Sequence, residues 1–245
     1  MAPSRHMVIL GGCGGIGRAL TARAQVDGWR ITVLDLEASL SRYTPGSEIE
    51  TRAIDVRDAA STRAAFNGLG PVDGFVNLAG FMTGVTPLEA TTADEFDEVL
   101  QGNFRGAYLA AQCALPLLRE GTSAALVNTV SGLANNVRPG YGLYGASKAA
   151  MIHLTKTLAL EAAPLVRVNA VGPAAVDTAF LRGGTGRSNE DEASSLNTDA
   201  YIAMTPLRRL ATPDDVVGPI MFLLGPDSSF MTGQTLWVNG GGYMP

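Results

Sequence analysis

Residues 7–17 read Met7-Val8-Ile9-Leu10-Gly11-Gly12-Cys13-Gly14-Gly15-Ile16-Gly17: an apolar run breaks on clustered glycines, and helix-compatible sequence, Ile16–Asp27, follows at once. The run is continuous in apolar residues rather than alternating, the pattern of a parallel strand covered on both faces. Glycines between strand and helix permit a tight turn and let backbone N–H groups approach an anion at the positive helix end. With 29 glycines in the chain, the spacing is a weak signal alone. Its context strengthens it. The next apolar run, Arg30–Asp35, ends on an acid 18 residues beyond Gly17, near the spacing of about 20 expected for a carboxylate that binds the ribose of a dinucleotide. Asp35 would repel a ribose 2′-phosphate, and neither Leu36 nor Glu37 supplies a cation to offset it. The expected cofactor is therefore NAD, with NADP the alternative.

The same alternation continues along the chain. Ile49–Ile54, Val72–Asn77, Ala124–Val130, Val166–Val171 and Thr235–Val238 read as five further strands. Ala59–Leu69, Ala93–Arg119, Tyr141–Ala162 and Asp214–Leu224 carry helical patterning. Pro116 is expected to kink or end the third helix of the series. Thr212-Pro213-Asp214-Asp215 is a helix start, with a capping hydroxyl and acids beside the positive helix end. Strand–helix repetition with right-handed crossovers implies an α/β, doubly wound, seven-stranded parallel sheet with helices on both faces, as one domain over residues 1–245. The segment 179–210, with Gly183-Gly184, Gly186 and the acidic run Glu190-Asp191-Glu192, is long and weakly periodic. It reads either as a substrate lid or as a surface excursion.

Bulk properties exclude several classes. A net charge of -5 offers no basic patch for nucleic acid. No stretch approaches the roughly 18 apolar residues of a membrane span. Met1–His6 is too short and polar for a secretory signal, so the cytoplasm is the expected location. Cys13 and Cys113 lack metal-ligand spacing and read as small buried thiols, so no metal is expected. His6 and His153 have no acid–base partner in view and receive no role.

Tyr144-Gly145-Ala146-Ser147-Lys148 sets a phenol and an ammonium four residues apart, on one face of a helix. Lys148 and Lys156 are the only lysines, so this pairing is seldom met by chance. Ser131 lies 13 residues before Tyr144, at the end of a predicted strand, where sites of open α/β sheets form. Oxidising an alcohol requires removing its O–H proton while a hydride leaves the carbon. A free phenol near pKa 10 is a poor base, but a neighbouring ammonium and an oxidised nicotinamide would lower it. Tyr144 is then the proton acceptor, Ser131 orients the substrate oxygen, and Lys148 can also hold the nicotinamide ribose. Arg138 and Arg182 flank the expected substrate opening and could bind a substrate carboxylate, although exposed arginine is ordinarily surface charge.

These motifs resemble the short-chain dehydrogenase/reductase family over essentially the whole chain. Gly11, Gly15 and Gly17 match its glycine fingerprint, with Leu10 in place of the family's Thr. Asp55-Val56 is similar to the pair contacting adenine, and Asn77-Leu78-Ala79-Gly80 to the Asn-Asn-Ala-Gly segment beneath the cofactor. Asn103 matches the family's fourth catalytic residue, which helps hold a water linking Lys148 to solvent. Pro173, Val176 and Thr178 fall where the family contacts the nicotinamide, with Ala174 replacing a usual Gly. The resemblance implies a Rossmann-like fold and adds Ile16, Ala79 and Gly80 to the cofactor-binding set. Thr232-Gly233 and Asn239-Gly240-Gly241, with Asn239 for Asp, resemble a terminal signature packed at subunit interfaces, which implies a homotetramer. The function expected is NAD-dependent interconversion of a secondary alcohol and a ketone on a small apolar or alicyclic substrate. Alternatives are an NADP-dependent 3-oxoacyl-thioester reductase and a non-catalytic dinucleotide-sensing module.

Overall fold

The computed structural model describes residues 4–188, 194 and 196–244. Seven strands form one parallel sheet: β1 (His6–Leu10), β2 (Arg30–Asp35), β3 (Glu50–Ala53), β4 (Gly74–Asn77), β5 (Ala125–Thr129), β6 (Arg167–Pro173) and β7 (Thr235–Val238). Their spatial order is β3-β2-β1-β4-β5-β6-β7. The connections reverse direction between β1 and β4, where the chains diverge and leave a crevice at the carboxyl ends. The helices described are α1 (Gly15–Val26), α2 (Glu37–Arg42), α3 (Ala59–Phe66), α4 (Ala93–Leu100), α5 (Gly106–Arg119), α6 (Gly142–Ala162), α7 (Thr198–Met204) and α8 (Pro213–Leu224).

Continuous apolar strands are explained by two cores, one on each face. Successive side chains of a strand point to opposite faces. Val8 and Leu10 of β1 join a core with Phe75, Leu126, Ala110 and Met151, beneath α3, α5 and α6. Met7 and Ile9 join the opposite core with Leu20, Val127, Val216 and Ile220, beneath α1 and α8. Among the described residues no helix is long and apolar enough to cross a membrane.

The expected strands stand within two residues of the observed ends, and the start of α8 is as read: Thr212 accepts from Asp215 N–H, and Asp215 accepts from Thr212 N–H at 2.7 Å. Three features differ. Helix α5 runs past Pro116 to Arg119, so the proline does not end it. The break instead lies earlier, in a π turn at Gln101–Arg105 between α4 and α5. Helices α2 and α7 are too short to show periodicity, and the sequence did not mark them. Cys13 is buried as expected, whereas Cys113 is half-buried. The acidic run 190–192 lies outside the described residues.

His6, set aside by its position in the sequence, is the first residue of β1 and is buried. Its ring nitrogens meet Pro71 O at 3.1 Å and Thr32 Oγ1 at 2.9 Å. Burial lowers its pKa, with the Arg30 charge acting in the same direction. The unfolded chain therefore takes up a proton near pH 6.5 that the folded chain resists. The contribution to stability is complete above that pH and is lost as pH falls through it towards the folded value, by at most about 1.4 kcal/mol per pH unit. Chemical denaturation of wild type and His6→Gln on either side of about pH 6.5 checks this. The stability advantage of the wild type shrinks on the acid side.

Candidate active site

A cavity of about 500 Å³ runs along the carboxyl ends of the strands, within the size range of small-molecule and cofactor sites. Every strand contributes: Leu10, Asp35, Asp55, Ala79, Ser131, Pro173 and Asn239 line it, each at or just beyond a strand end. No cluster of metal-ligating side chains occurs among the described residues.

At one end, the glycine turn joins β1 to α1. Gly11 has φ +84°, and a Cβ there would stand 2.9 Å from Ala79 N. At Gly17 a Cβ would stand 2.4 Å from Gly11 O, a clash with backbone that no rotamer relieves. Gly14 caps α1 without a side-chain hydrogen bond, and Gly15, Ile16 and Gly17 line the cavity. First-turn amides beside a cavity, with no capping side chain in their way, fit a dinucleotide pyrophosphate.

Asp35 stands at the rim of this turn, its oxygens accepting from Cys13 N–H and Leu36 N–H, both at 2.8 Å. Burial pushes its carboxyl up, and these N–H bonds oppose the rise. The Cys13 thiol is held up to about 12 by burial, then by the Asp35 charge, so it stays protonated at neutral pH. Asp55 pairs with Arg57 at 2.7 Å, and Val56 lies beside it in the wall. Thr178 packs directly against the turn, its Cγ2 2.5 Å from where a Gly15 Cβ would stand. Val176 bridges to Ala211.

At the other end, Ser131, Tyr144 and Lys148 converge on the lining. Lys148 is buried, donates to Thr129 O at 2.9 Å, and lies 5.7 Å from the centroid of the Tyr144 ring. Burial lowers its ammonium to about 8. The expected lowering of the phenol is not what the protein's own groups produce: burial pushes Tyr144 up to about 12, and only a hydrogen bond with Ser131 opposes it. Desolvation of the buried phenolate dominates.

Two of the expected site residues do not line the cavity. Asn77 and Asn103 stand buried behind it. Asn103, on the π turn, accepts from Phe81 N–H at 2.9 Å and donates to Phe81 O at 2.8 Å and Ser147 Oγ at 3.2 Å. It thereby fixes the backbone beside Gly80, where a Cβ would meet Lys148 Nζ at 3.0 Å. Asn77 accepts from Ala79 N–H at 3.1 Å. Behind it, Asn128 donates to Thr155 Oγ1 at 3.0 Å, tying β5 to α6.

The departures from the family pattern are accommodated. Leu10 O accepts from Leu78 N–H at 2.8 Å, which joins β1 to β4 without a threonine hydroxyl. Ala174 is absent from the residues with positive φ, so this position does not require glycine. Asn239 donates to Tyr243 O at 2.6 Å, a bond an aspartate cannot give.

The described residues of 179–210 contribute to the cavity wall through Phe180, Thr185, Arg187, Asn197 and Tyr201 among others. Arg187 pairs with Glu98 at 2.7 Å and stacks on Phe81 at 3.6 Å. Arg187 was missed because it carries no local signal and only the fold brings it here; Arg57 was missed although it directly follows the Asp55-Val56 pair and bonds Asp55 two residues before it.

The family model described as Enoyl-(Acyl carrier protein) reductase matches residues 12–243. The chain is 37% identical to 4-formylbenzenesulfonate dehydrogenase TsaC1/TsaC2 of Comamonas testosteroni, over 96% of each chain. It is 34% identical to Carbonyl reductase (NADPH) 2 of Sus scrofa, over 96% of this chain and 94% of that one. A solved structure of a Short-chain dehydrogenase/reductase SDR:Glucose/ribitol dehydrogenase from Brucella melitensis superposes with a TM-score of 0.86 at 28% identity, covering 98% of this chain and 97% of the other.

The buried Asn103 bonds predict a stability effect. Asn103→Ala leaves the Phe81 N–H and C=O without their partner, which costs about 1–3 kcal/mol. Denaturant midpoints measure it, and an unchanged midpoint would show that the clamp contributes nothing.

Proposed function

The chain belongs to the short-chain dehydrogenase/reductase family, oxidoreductases that bind a nicotinamide dinucleotide and act on small alcohol or carbonyl substrates, and we propose that this member uses NAD to interconvert a secondary alcohol and a ketone. The carrying observation is that Ser131, Tyr144 and Lys148 meet at one end of a cavity whose other end holds the glycine turn and Asp35. Gly11, Gly15, Ile16 and Gly17 receive the pyrophosphate, Asp35 the adenosine ribose, and Asp55 and Val56 the adenine. Ala79, Gly80, Pro173, Val176 and Thr178 flank the nicotinamide half, and Asn77 supports that wall from behind. The bound dinucleotide supplies the hydride acceptor or donor. Ser131 holds the substrate oxygen, and Tyr144 takes the hydroxyl proton in oxidation or returns it in reduction. Lys148 stands beside the phenol and holds the nicotinamide ribose. Asn103 keeps the Phe81 backbone, and with it the surroundings of Lys148, in place.

A single domain over residues 1–245, a covering lid over 179–210, a cytoplasmic location and a homotetramer complete the proposal. The tetramer is favoured by β7, which forms one edge of the sheet, and by the fully exposed Phe230 just before it. The substrate proposed is an apolar or alicyclic ring compound. Its support is the apolar lining and a relative named for a formylbenzenesulfonate, itself a ring compound. NADP dependence is the second reading, favoured by a relative named for NADPH and by Arg187 and Arg57 in the cavity wall. For the 3-oxoacyl-thioester reductase alternative, the support is that the matching family model is described as Enoyl-(Acyl carrier protein) reductase, which names an acyl-carrier substrate.

Tyr144→Phe lowers turnover by at least about 100-fold while dinucleotide binding persists; a sensing module would be indifferent to the change. Because burial holds the phenol up to about 12, kcat/KM for oxidation, which needs the phenolate, rises from neutral towards alkaline pH, whereas that for reduction, which needs the protonated phenol, stays level until the pH nears that value. The pH profiles of the two directions check this sign. Asp35→Asn keeps one acceptor oxygen but removes the charge, and it shifts the NADP-to-NAD ratio of kcat/KM towards NADP by about tenfold. A wild type that already prefers NADP removes the role given to Asp35.

A further inference from the structure

We propose that Arg138 makes this cavity selective for substrates bearing a carboxylate or sulfonate on a flat ring. The inference rests on the alcohol–ketone reading above and refines its substrate class, from an apolar ring compound to a ring that carries one anionic group. Sequence left Arg138 and Arg182 equivalent; the structure separates them. Arg138 lines the cavity, whereas Arg182 does not and reaches back to Thr178 O at 3.5 Å.

The other charged side chains of the lining are engaged. Asp35 accepts two backbone N–H bonds, Asp55 pairs with Arg57 at 2.7 Å, Arg187 pairs with Glu98 at 2.7 Å, and Lys148 donates to Thr129 O. Among the described residues, no hydrogen bond or ion pair engages the Arg138 guanidinium. Both carboxylates of the lining stand at the carboxyl ends of β2 and β3, Asp35 as the last residue of β2 and Asp55 just beyond β3.

The backbone around Arg138 is held. Arg138 O accepts from Tyr141 N–H at 3.3 Å, and Gly140 O accepts from Thr86 N–H at 3.1 Å. Gly140 has φ +82°, and a Cβ there would strike Val85 Cγ1 at 2.4 Å. The arginine is therefore carried on a pinned turn that leads directly into α6 and so to Tyr144.

The walls suit a ring. Four of the chain's six tyrosines line this cavity: Tyr141, Tyr144, Tyr201 and Tyr243. Phe180 packs on Tyr144 with ring centroids 5.9 Å apart. Apolar and aromatic walls bind the body of a ligand, while one guanidinium fork fixes the orientation of its anionic group. An anion reaching Arg138 leaves the reacting carbon to Ser131 and Tyr144.

The test compares para- and meta-acetylbenzoate with their methyl esters, bound to the protein saturated with NAD, where no hydride can pass to a ketone. Calorimetry should find at least one anion bound about tenfold more tightly than its ester. Arg138→Gln should erase that preference and leave ester affinity unchanged, and Arg138→Lys should retain part of it. Equal affinities in the wild type, binding of neither, or a preference surviving in Arg138→Gln overturns the proposal. Turnover with NADH then separates the two readings. An anion preference without reduction of either ketone defeats the oxidoreductase reading alone, whereas equal kcat/KM and equal affinity for anion and ester defeat this one alone.

Discussion

The site depends first on a close approach of backbone to backbone. Gly17, in the first turn of α1, lies so near Gly11 O that a single Cβ would stand 2.4 Å from that oxygen. Only hydrogen fits there. Because it fits, α1 can start directly over the end of β1 and bring its unsatisfied first-turn amides to the crevice between β1 and β4. A bulkier residue would lift the helix start and carry those amides away from the strand ends. The carboxylate of Asp35 secures the same turn from the side through Cys13 N–H, so two strands and a helix agree on one geometry.

The opposite end of the cavity is organised by desolvation rather than by close approach. Burial raises Tyr144 and lowers Lys148, so both side chains lean towards their uncharged forms. Such a pair is poised to respond to charge brought near it, since a low-dielectric setting magnifies each interaction. Two of its neighbours are well satisfied: Asn103 spends both ends of its amide on Phe81 and Ser147, and Asn128 meets Thr155. Buried polar groups that left hydrogen bonds unmade would destabilise the wall that positions the phenol.

Local chemistry was legible in the sequence and long-range placement was not. The central strands showed because they are buried on both faces, so apolar residues predominate in them, as in Met7–Leu10 of β1, Ala125–Val127 of β5 and Ala170-Val171 of β6. The glycine turn and the Tyr144–Lys148 pair showed because each depends on neighbours a few residues apart. Helix α2 was invisible: six residues reading Glu37-Ala38-Ser39-Leu40-Ser41-Arg42 are too few for helical periodicity and rich in serine. Pro116 was over-weighted, because a packed α5 tolerates one missing N–H that an isolated helix does not. His6 looked peripheral only because a strand's first residue cannot be told from a loop by pattern alone. Arg187 gave no signal at all, since Phe81 and Glu98 reach it only through the tertiary fold.

The π turn at Gln101–Arg105 acts as an angular spacer between α4 and α5. Each residue of an α-helix advances the face by about 100°, so the wider turn resets which side of α5 meets the sheet. One continuous α-helix could not both keep the buried side of α4, around Val99, in place and direct Asn103 towards Phe81 while laying Ala107, Ala110 and Ala114 on the core. Shortening this turn by one residue would therefore leave composition and apolar content nearly untouched, yet rotate one packing surface against another. The tolerance of this helix to insertion or deletion is set by phase, which Asn103 and the buried alanines of α5 hold between them.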